Sequence, residues 1–291
     1  MNTLLRSGTA EAVISSLGAE LISFRRTDTE TEYMWSGDAA YWTGRSPVLF
    51  PIIGAAIQGE IKADGQAYKI ANHGFARRSE FTLQEASDTQ AVFLLSHSES
   101  TLAVYPYKFN LFLTYILSGS TLEISYRVEN TDEQEIFFQL GTHPAFNCPI
   151  DGSGAFSDYY LEFAQPENLE RLFLNKTGQL INGQTDPLLQ NENILPLNHE
   201  MFEHDALVFK NVSSQSVALK SKLSAKSVSV AYHNFPDLGI WQPKNAPFLC
   251  IEPWHGVADS EGFTGEIRDK SGVISLPPGG QSTSSLTITF N

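Results

Sequence analysis

The sequence predicts an all-β fold, a large antiparallel β-sandwich, on three grounds. Apolar residues alternate with period two, turn signals recur between the alternating stretches, and no helical period persists beyond about two turns. In "TLEISYRVEN", Leu122, Ile124, Tyr126 and Val128 take one face and Glu123, Ser125, Arg127 and Glu129 the other, as a half-buried strand requires. "SVSVAYH", with Val228, Val230 and Tyr232, and "SLTITF", with Leu286, Ile288 and Phe290, repeat the pattern. "KFNLFLTYIL" sets Phe109, Leu111, Leu113 and Tyr115 against Phe112 and Ile116, apolar on both faces, and is expected in the middle of the sandwich. Between such stretches "ADGQ", "DGSG", "KTGQ", "NGQTDP" and "PPGG" supply Gly, Asn, Asp or Pro where the backbone reverses. Short helices are expected at most at "PENLERL" and "GDAAYW", and the acidic "ENTDEQE" reads as a solvated hairpin tip.

The 291 residues are enough to bury a sizeable core as one domain, residues 1–291, with 42% apolar and 18% charged side chains. A net charge of −14 repels phosphate backbones and anionic lipid surfaces, so neither nucleic acid nor membrane is an expected partner. The start of the chain has no basic region followed by a sustained apolar stretch, and a cytoplasmic address is expected. The two cysteines, Cys148 and Cys250, lack CxxC spacing and read as reduced.

Seven histidines are the first candidates for chemistry near neutral pH. His199 and His204 in "HEMFEHDALVF" are five apart and fall on different faces of a helix, whereas a zinc-binding HExxH needs four, so no metal is expected there. His97 and His233 sit beside polar residues at strand ends and have no assigned role. In "GTHPAFNCPI", Pro144 pushes the backbone of His143 toward the extended region and presents the ring from a stiff strand end, as proton transfer requires.

"LCIEPWHGVADS" places Glu252 after the apolar run "PFLCI". A carboxylate there is desolvated and its proton affinity rises, which suits a general base near neutral pH. Trp241 in "LGIWQP" offers a flat face to a sugar ring, although core packing accounts for a tryptophan equally well. In "ANHGFARRSEF", His73 precedes Gly74 and lies four residues before Arg77, and "TGRSPVLFP" presents Arg45 before an apolar strand. Together these form a local donor-rich set in an acidic chain.

"RSPVLFPIIG", "NHGFARRSEF", "GTHPAFNCPI", "HDALVF" and "LCIEPWHGVAD" occur in the order and approximate spacing of the aldose 1-epimerase (galactose mutarotase-like) superfamily, which the chain resembles from Thr3 to its end. The wording "HPAFNCP" with "CIEPWHG" is most similar to its LacX-type branch. The resemblance implies a galactose mutarotase-like supersandwich, with His143 at the family's general-acid position and Glu252 at its general-base position. It matches Arg45, His73 and Asp205 with substrate-binding positions, and Arg77 with the second arginine of the hexose-6-phosphate branch, which shares "HGFAR".

The implied reaction interconverts the α and β anomers of a free hexose or hexose phosphate, with no metal or other cofactor. The implied partner is a small-molecule sugar, and the protein a monomer or homodimer. Ala145 stands where the "HPYF" form has tyrosine, and Pro253, Trp254 and His255 follow Glu252 in place of an "ETQ"-like form, so galactose specificity is not carried over. On a strand Arg77 and Arg78 would point to opposite faces, and at most one is expected to reach the site. The alternatives are a non-catalytic carbohydrate-binding or sugar-sensing protein, and a glycoside hydrolase or lyase using Asp205 as a second carboxylate.

Overall fold

The alternating stretches pair into one long antiparallel sheet. The computed structural model describes residues 1–291, and fifteen strands join that sheet. Its path runs from Val48–Leu49 through Leu140–Thr142, Phe248–His255, Asp237–Trp241 and Leu207–Phe209 to the long strand Tyr159–Leu174. It continues through Ser216–Ser221, Ser227–His233, Gln281–Phe290, Thr121–Asn130, Phe109–Ser118 and Gln90–Ser96 to Thr82–Ala86. Ala145–Asn147 adds to Phe248–His255, and Leu180–Pro196 adds to Tyr159–Leu174.

A separate four-stranded sheet, Asn2–Ser7 to Thr31–Glu32, packs on the far half of the long one. Phe24 and Tyr33 lie against Phe290 with ring centroids 4.5 and 4.4 Å apart, and the Tyr115 hydroxyl donates to the Ala19 carbonyl. The resulting core is a cluster of 65 buried residues running from Leu5 to Phe290. The fold is therefore the all-β sandwich with a large antiparallel sheet that the alternation predicts, and its helical segments are single short turns.

Five local expectations are corrected. "PENLERL" lies inside the strand Tyr159–Leu174, because pairing with Leu180–Pro196 and the buried Glu167 carboxylate, which accepts from the Ser213 and Ser214 amides, outweigh its helical preference. "GDAAYW" is a turn closed by the amides of Tyr41 and Trp42 on the Asp38 carbonyl. "NGQTDP" sits within Leu180–Pro196, and the chain reverses earlier, at the Asn175–Gln179 turn. "ENTDEQE" joins strands that do not pair with each other, since Thr121–Asn130 pairs with Gln281–Phe290 and Ile136–Phe138 with Ile274–Leu276. The strand Phe109–Ser118 likewise has only one fully buried face. Ile116 is exposed, and Phe112 is covered by the Arg127 guanidinium 4.0 Å above its ring.

Two of the motif segments interlock before they reach any site. The Phe75 and Ala76 amides both donate to the Phe50 carbonyl, while the His73 amide donates to the Gly54 carbonyl. Gly74 makes this approach possible. Its φ is +72°, and a Cβ there would lie 2.1 Å from the Phe50 carbonyl oxygen. Gly74→Ala should therefore destabilise the protein by about 3 kcal/mol or prevent folding. Gly119→Ala, at φ +55° with nothing within 4 Å, should cost only about 1 kcal/mol. Urea unfolding of the two variants checks this, and equal losses would contradict it.

Candidate active site

Strand register brings the histidine and the carboxylate together. Leu140 and Gly141 pair with His255 and Trp254, and Ala145, Phe146 and Asn147 pair with Cys250, Leu249 and Phe248. The register is the same on both sides of the interruption at His143 and Pro144, so His143 falls directly opposite Glu252. The Ile251 amide still donates to the Pro144 carbonyl inside the gap. Prolines on both strands, Pro144 and Pro253, lack the donors a regular ladder would use there.

His143 Nε2 stands 3.2 Å from Glu252 Oε2, with side-chain exposures of 9% and 1%. The two atoms are at hydrogen-bond distance but misaligned, and Glu252 Oε2 and His143 Nδ1 have no hydrogen-bond partner. Orphaned polar atoms of this kind are costly in a dry interior and are expected where a ligand completes the bonding.

The pair borders a cavity of about 350 Å³, within the range of small-molecule sites. His73, Arg77, Asp205 and Trp241 line it with His143 and Glu252, so six of the seven expected site residues converge. Arg45 does not. Its carbonyl accepts from the Ala145 amide and its Nε donates to the Ser36 carbonyl, which ties it to the 36–45 segment. Arg77 sits on the turn Ala76–Arg78, not on a strand, and it alone of the two arginines lines the cavity.

Trp42, which the sequence reading assigned to a helical turn, stacks on the His143 imidazole at 4.7 Å and 29°. Trp241 meets the same ring edge-on at 5.6 Å. Trp254 forms a third wall, lying over Gly239 and Gly141, where an added Cβ would come within 2.5 and 2.7 Å of its indole. Asn72 also lines the cavity. An aromatic next to a turn was the available signal for Trp42, but its destination depends on how the 36–45 segment folds back.

Burial sets the protonation of these groups. It pushes the Glu252 carboxyl well above the usual carboxylate range, with Asp205 adding to the rise and Arg77 opposing it. It holds His143 well below the usual imidazole range, reinforced by His73 and Arg77. His73 is lowered to about 3, again by burial first and then by Arg77. The Gly54 amide donates to His73 Nδ1 at 3.1 Å, which leaves Nε2–H as the donor of a neutral ring. Asp205, held at φ +72°, accepts from the Ala206 amide through Oδ1.

His143, Cys250 and Glu252 each place one ligand-type atom within 4.8 Å of the others. Burial raises the Cys250 thiol and the Glu252 carboxyl alike, so both hold the protons a cation would have to displace. Those residues therefore fit proton transfer better than metal binding. Cys250 packs with Trp35, Ala145, Ala246 and Phe248 behind the site, and Cys148 is a second free, buried thiol. The remaining histidine pair is dispersed: His199 bonds Gln242 and stacks on Phe156, while His204 lies against Phe173.

Comparison with known proteins agrees with this architecture. The aldose 1-epimerase family model matches residues 2–275. The chromosomal protein LacX of Lactococcus lactis subsp. lactis is 34% identical over 289 residues, covering 94% of each chain. A galactose mutarotase related enzyme from Lactobacillus acidophilus superposes with a TM-score of 0.95 at 30% identity, over 100% of this chain and 97% of its own. A galactose mutarotase-like protein from Lactobacillus casei gives 0.94 at 29% identity, over 100% of both chains. The chain belongs to the aldose 1-epimerase family.

Proposed function

We propose that the protein interconverts the α and β anomers of a free hexose or hexose phosphate by acid–base opening and closure of the ring. The observation that carries this reading is the buried His143–Glu252 pair, set across two strands and bordering a cavity of sugar size. Ionised Glu252 takes the proton of the anomeric hydroxyl while protonated His143 gives one to the ring oxygen. The C1–O5 bond breaks and C1 becomes an aldehyde. After rotation about C1–C2, the former ring oxygen attacks C1 and re-forms the C1–O5 bond as it returns its proton to His143, while Glu252 gives its proton to the aldehyde oxygen. Atoms and charges balance at each step, and the protein contributes only paired proton transfers.

The pair carries one proton in both of its working forms. Ring opening starts from the form with that proton on His143 and ends in the form with it on Glu252. Burial favours the second, uncharged form. That bias draws the ring open, while Arg77, which favours ionised Glu252, restrains it. Neutral His73 would donate to a sugar oxygen without competing for the proton, and Asp205 would accept from ring hydroxyls. Trp42 and Trp241 would hold the His143 ring and exclude water.

His143→Asn and Glu252→Gln should each lower kcat/KM for anomer exchange by about 100-fold or more. Polarimetry or NMR of freshly dissolved aldoses, phosphorylated ones included, reads the rate. Tight sugar binding by the wild-type protein with no acceleration on any of them would favour a carbohydrate-binding protein instead.

The active single-proton form is lost to a second proton on His143 at low pH and to ionisation of Glu252 at high pH. Since His143 is shifted down and Glu252 up, kcat/KM should plateau through neutrality, with its acid limb below pH 6.5. A single rise centred at or above that value would contradict the burial argument.

Stability tied to the protonated Glu252 carboxyl is complete below pH 4.5, where the unfolded chain also holds the proton, and is lost as pH rises toward the raised folded value. Glu252→Gln removes that loss. The variant should exceed the wild type at pH 7 by a margin on the order of 1 kcal/mol and match it near pH 4, as measured by denaturant unfolding.

A further inference from the structure

We propose that Trp254 is a positioning residue for Glu252, its indole N–H donating a hydrogen bond to the carboxylate whenever that group is ionised. The effect on rate rests on the anomer-exchange reading; the hydrogen bond itself does not. Trp254 lies two residues beyond Glu252 on the strand Phe248–His255, so the two side chains leave the same face of the sheet. Both line the cavity. Trp254 is 6% exposed, and its Nε1 is buried with no hydrogen-bond partner, as is Glu252 Oε2. An indole nitrogen only donates and an ionised carboxylate only accepts, so each supplies what the other lacks.

Two glycines aim the ring. Gly239 pairs with Glu252 and Gly141 with Trp254, on the strands to either side. The indole lies across both positions: a Cβ on Gly141 would meet its Cδ1 at 2.7 Å, and one on Gly239 would meet its Cη2 and Cζ2 at 2.5 and 2.6 Å. In an indole Nε1 sits on the edge between Cδ1 and Cζ2, so the N–H edge is the one that spans the two glycines. The six-membered ring thus covers the residue directly opposite Glu252, and the N–H lies beside the Glu252 carboxyl, close enough to favour its ionised form.

The other groups around Glu252 do not fill this role. His143 Nε2 lies near Oε2 but serves the ring oxygen in the proposed reaction, and Arg77 acts through its charge, not through a hydrogen bond. Asp205 opposes ionisation, burial keeps the Cys250 thiol on the same face protonated, and His73 is neutral. Asp237, which pairs with Trp254, is committed to the Asn211 and Gly256 amides. Without the indole N–H, an ionised Glu252 in this dry wall would keep an unmatched acceptor, and the pair would rest more heavily in its uncharged form. Ring opening starts from the charged form, so the indole sets how much of the protein is ready to react.

Trp254→Phe keeps an aromatic ring on the glycines and removes the donor. It should lower kcat for anomer exchange by about tenfold or more with KM changed by less than about twofold, and move the alkaline limb of kcat/KM upward by about one pH unit. An unchanged kcat, or a rise in KM alone with the alkaline limb unmoved, would overturn the proposal, the second result making the indole a donor to the sugar. A second measurement needs neither folding of that variant nor turnover. With isotope-labelled tryptophan, the Trp254 indole proton resonance of the wild-type protein should move downfield as Glu252 ionises between about pH 6 and about pH 10, and should stay in place in Glu252→Gln. If no sugar is exchanged, the catalytic reading falls, and that shift alone upholds the hydrogen bond. A wild-type resonance that stays in place, or one that moves equally in Glu252→Gln, would overturn it.

Discussion

The site depends on one constraint, the shared register of two strand segments on either side of a two-residue gap. Leu140–Thr142 and Ala145–Asn147 keep a single alignment with Phe248–His255, and that alignment sets His143 against Glu252. A slip of one residue would turn one of the two side chains to the opposite face of the sheet. The prolines beside both residues exclude regular ladder hydrogen bonds there, and the surrounding pairs fix the position. The same face carries Trp254, which lies flat because Gly141 and Gly239 beneath it have no side chains. Strand pairing, a proline-marked gap and two glycines thus build the His143–Glu252 end of the cavity.

Desolvation gives that geometry its chemistry. In water the glutamate would be ionised at neutral pH; in the dry site burial moves the balance toward the neutral pair, and in the proposed reaction one proton serves both residues in turn. The charged neighbours tune this balance in opposite directions, Asp205 favouring protonated Glu252 and Arg77 favouring ionised Glu252. Trp42 and Trp241 pack on the His143 ring and help to keep it dry, and His73, committed to the Gly54 amide, contributes a donor and no charge.

Much of this was legible in the sequence because it is encoded locally. Period-two alternation marked Thr121–Asn130, Ser227–His233 and Gln281–Phe290, and the proline neighbours of His143 and Glu252 marked stiff carriers for ionisable groups. What failed was set by distant partners. "PENLERL" has helix-forming residues but is captured by Leu180–Pro196, and Ile116 looks like a core residue but faces solvent. Arg45, expected at the site, does not line the cavity, and Trp42, expected only in a short helix, does, since the fold of the 36–45 segment decides which of them faces it. The long-range coincidence of His143 with Glu252 could be inferred only from resemblance to a family. Its physical cause is visible in the strand pairing.

The central claim is that His143 and Glu252 act on the two oxygens of one anomeric centre. A crystal structure of the Glu252→Gln variant with glucose bound tests it most directly, because the substitution keeps the shape of the site while removing the base. The account predicts the anomeric oxygen at the side chain of residue 252 and the ring oxygen at the His143 imidazole. A sugar bound with its anomeric end at the mouth, or outside this cavity, would contradict it.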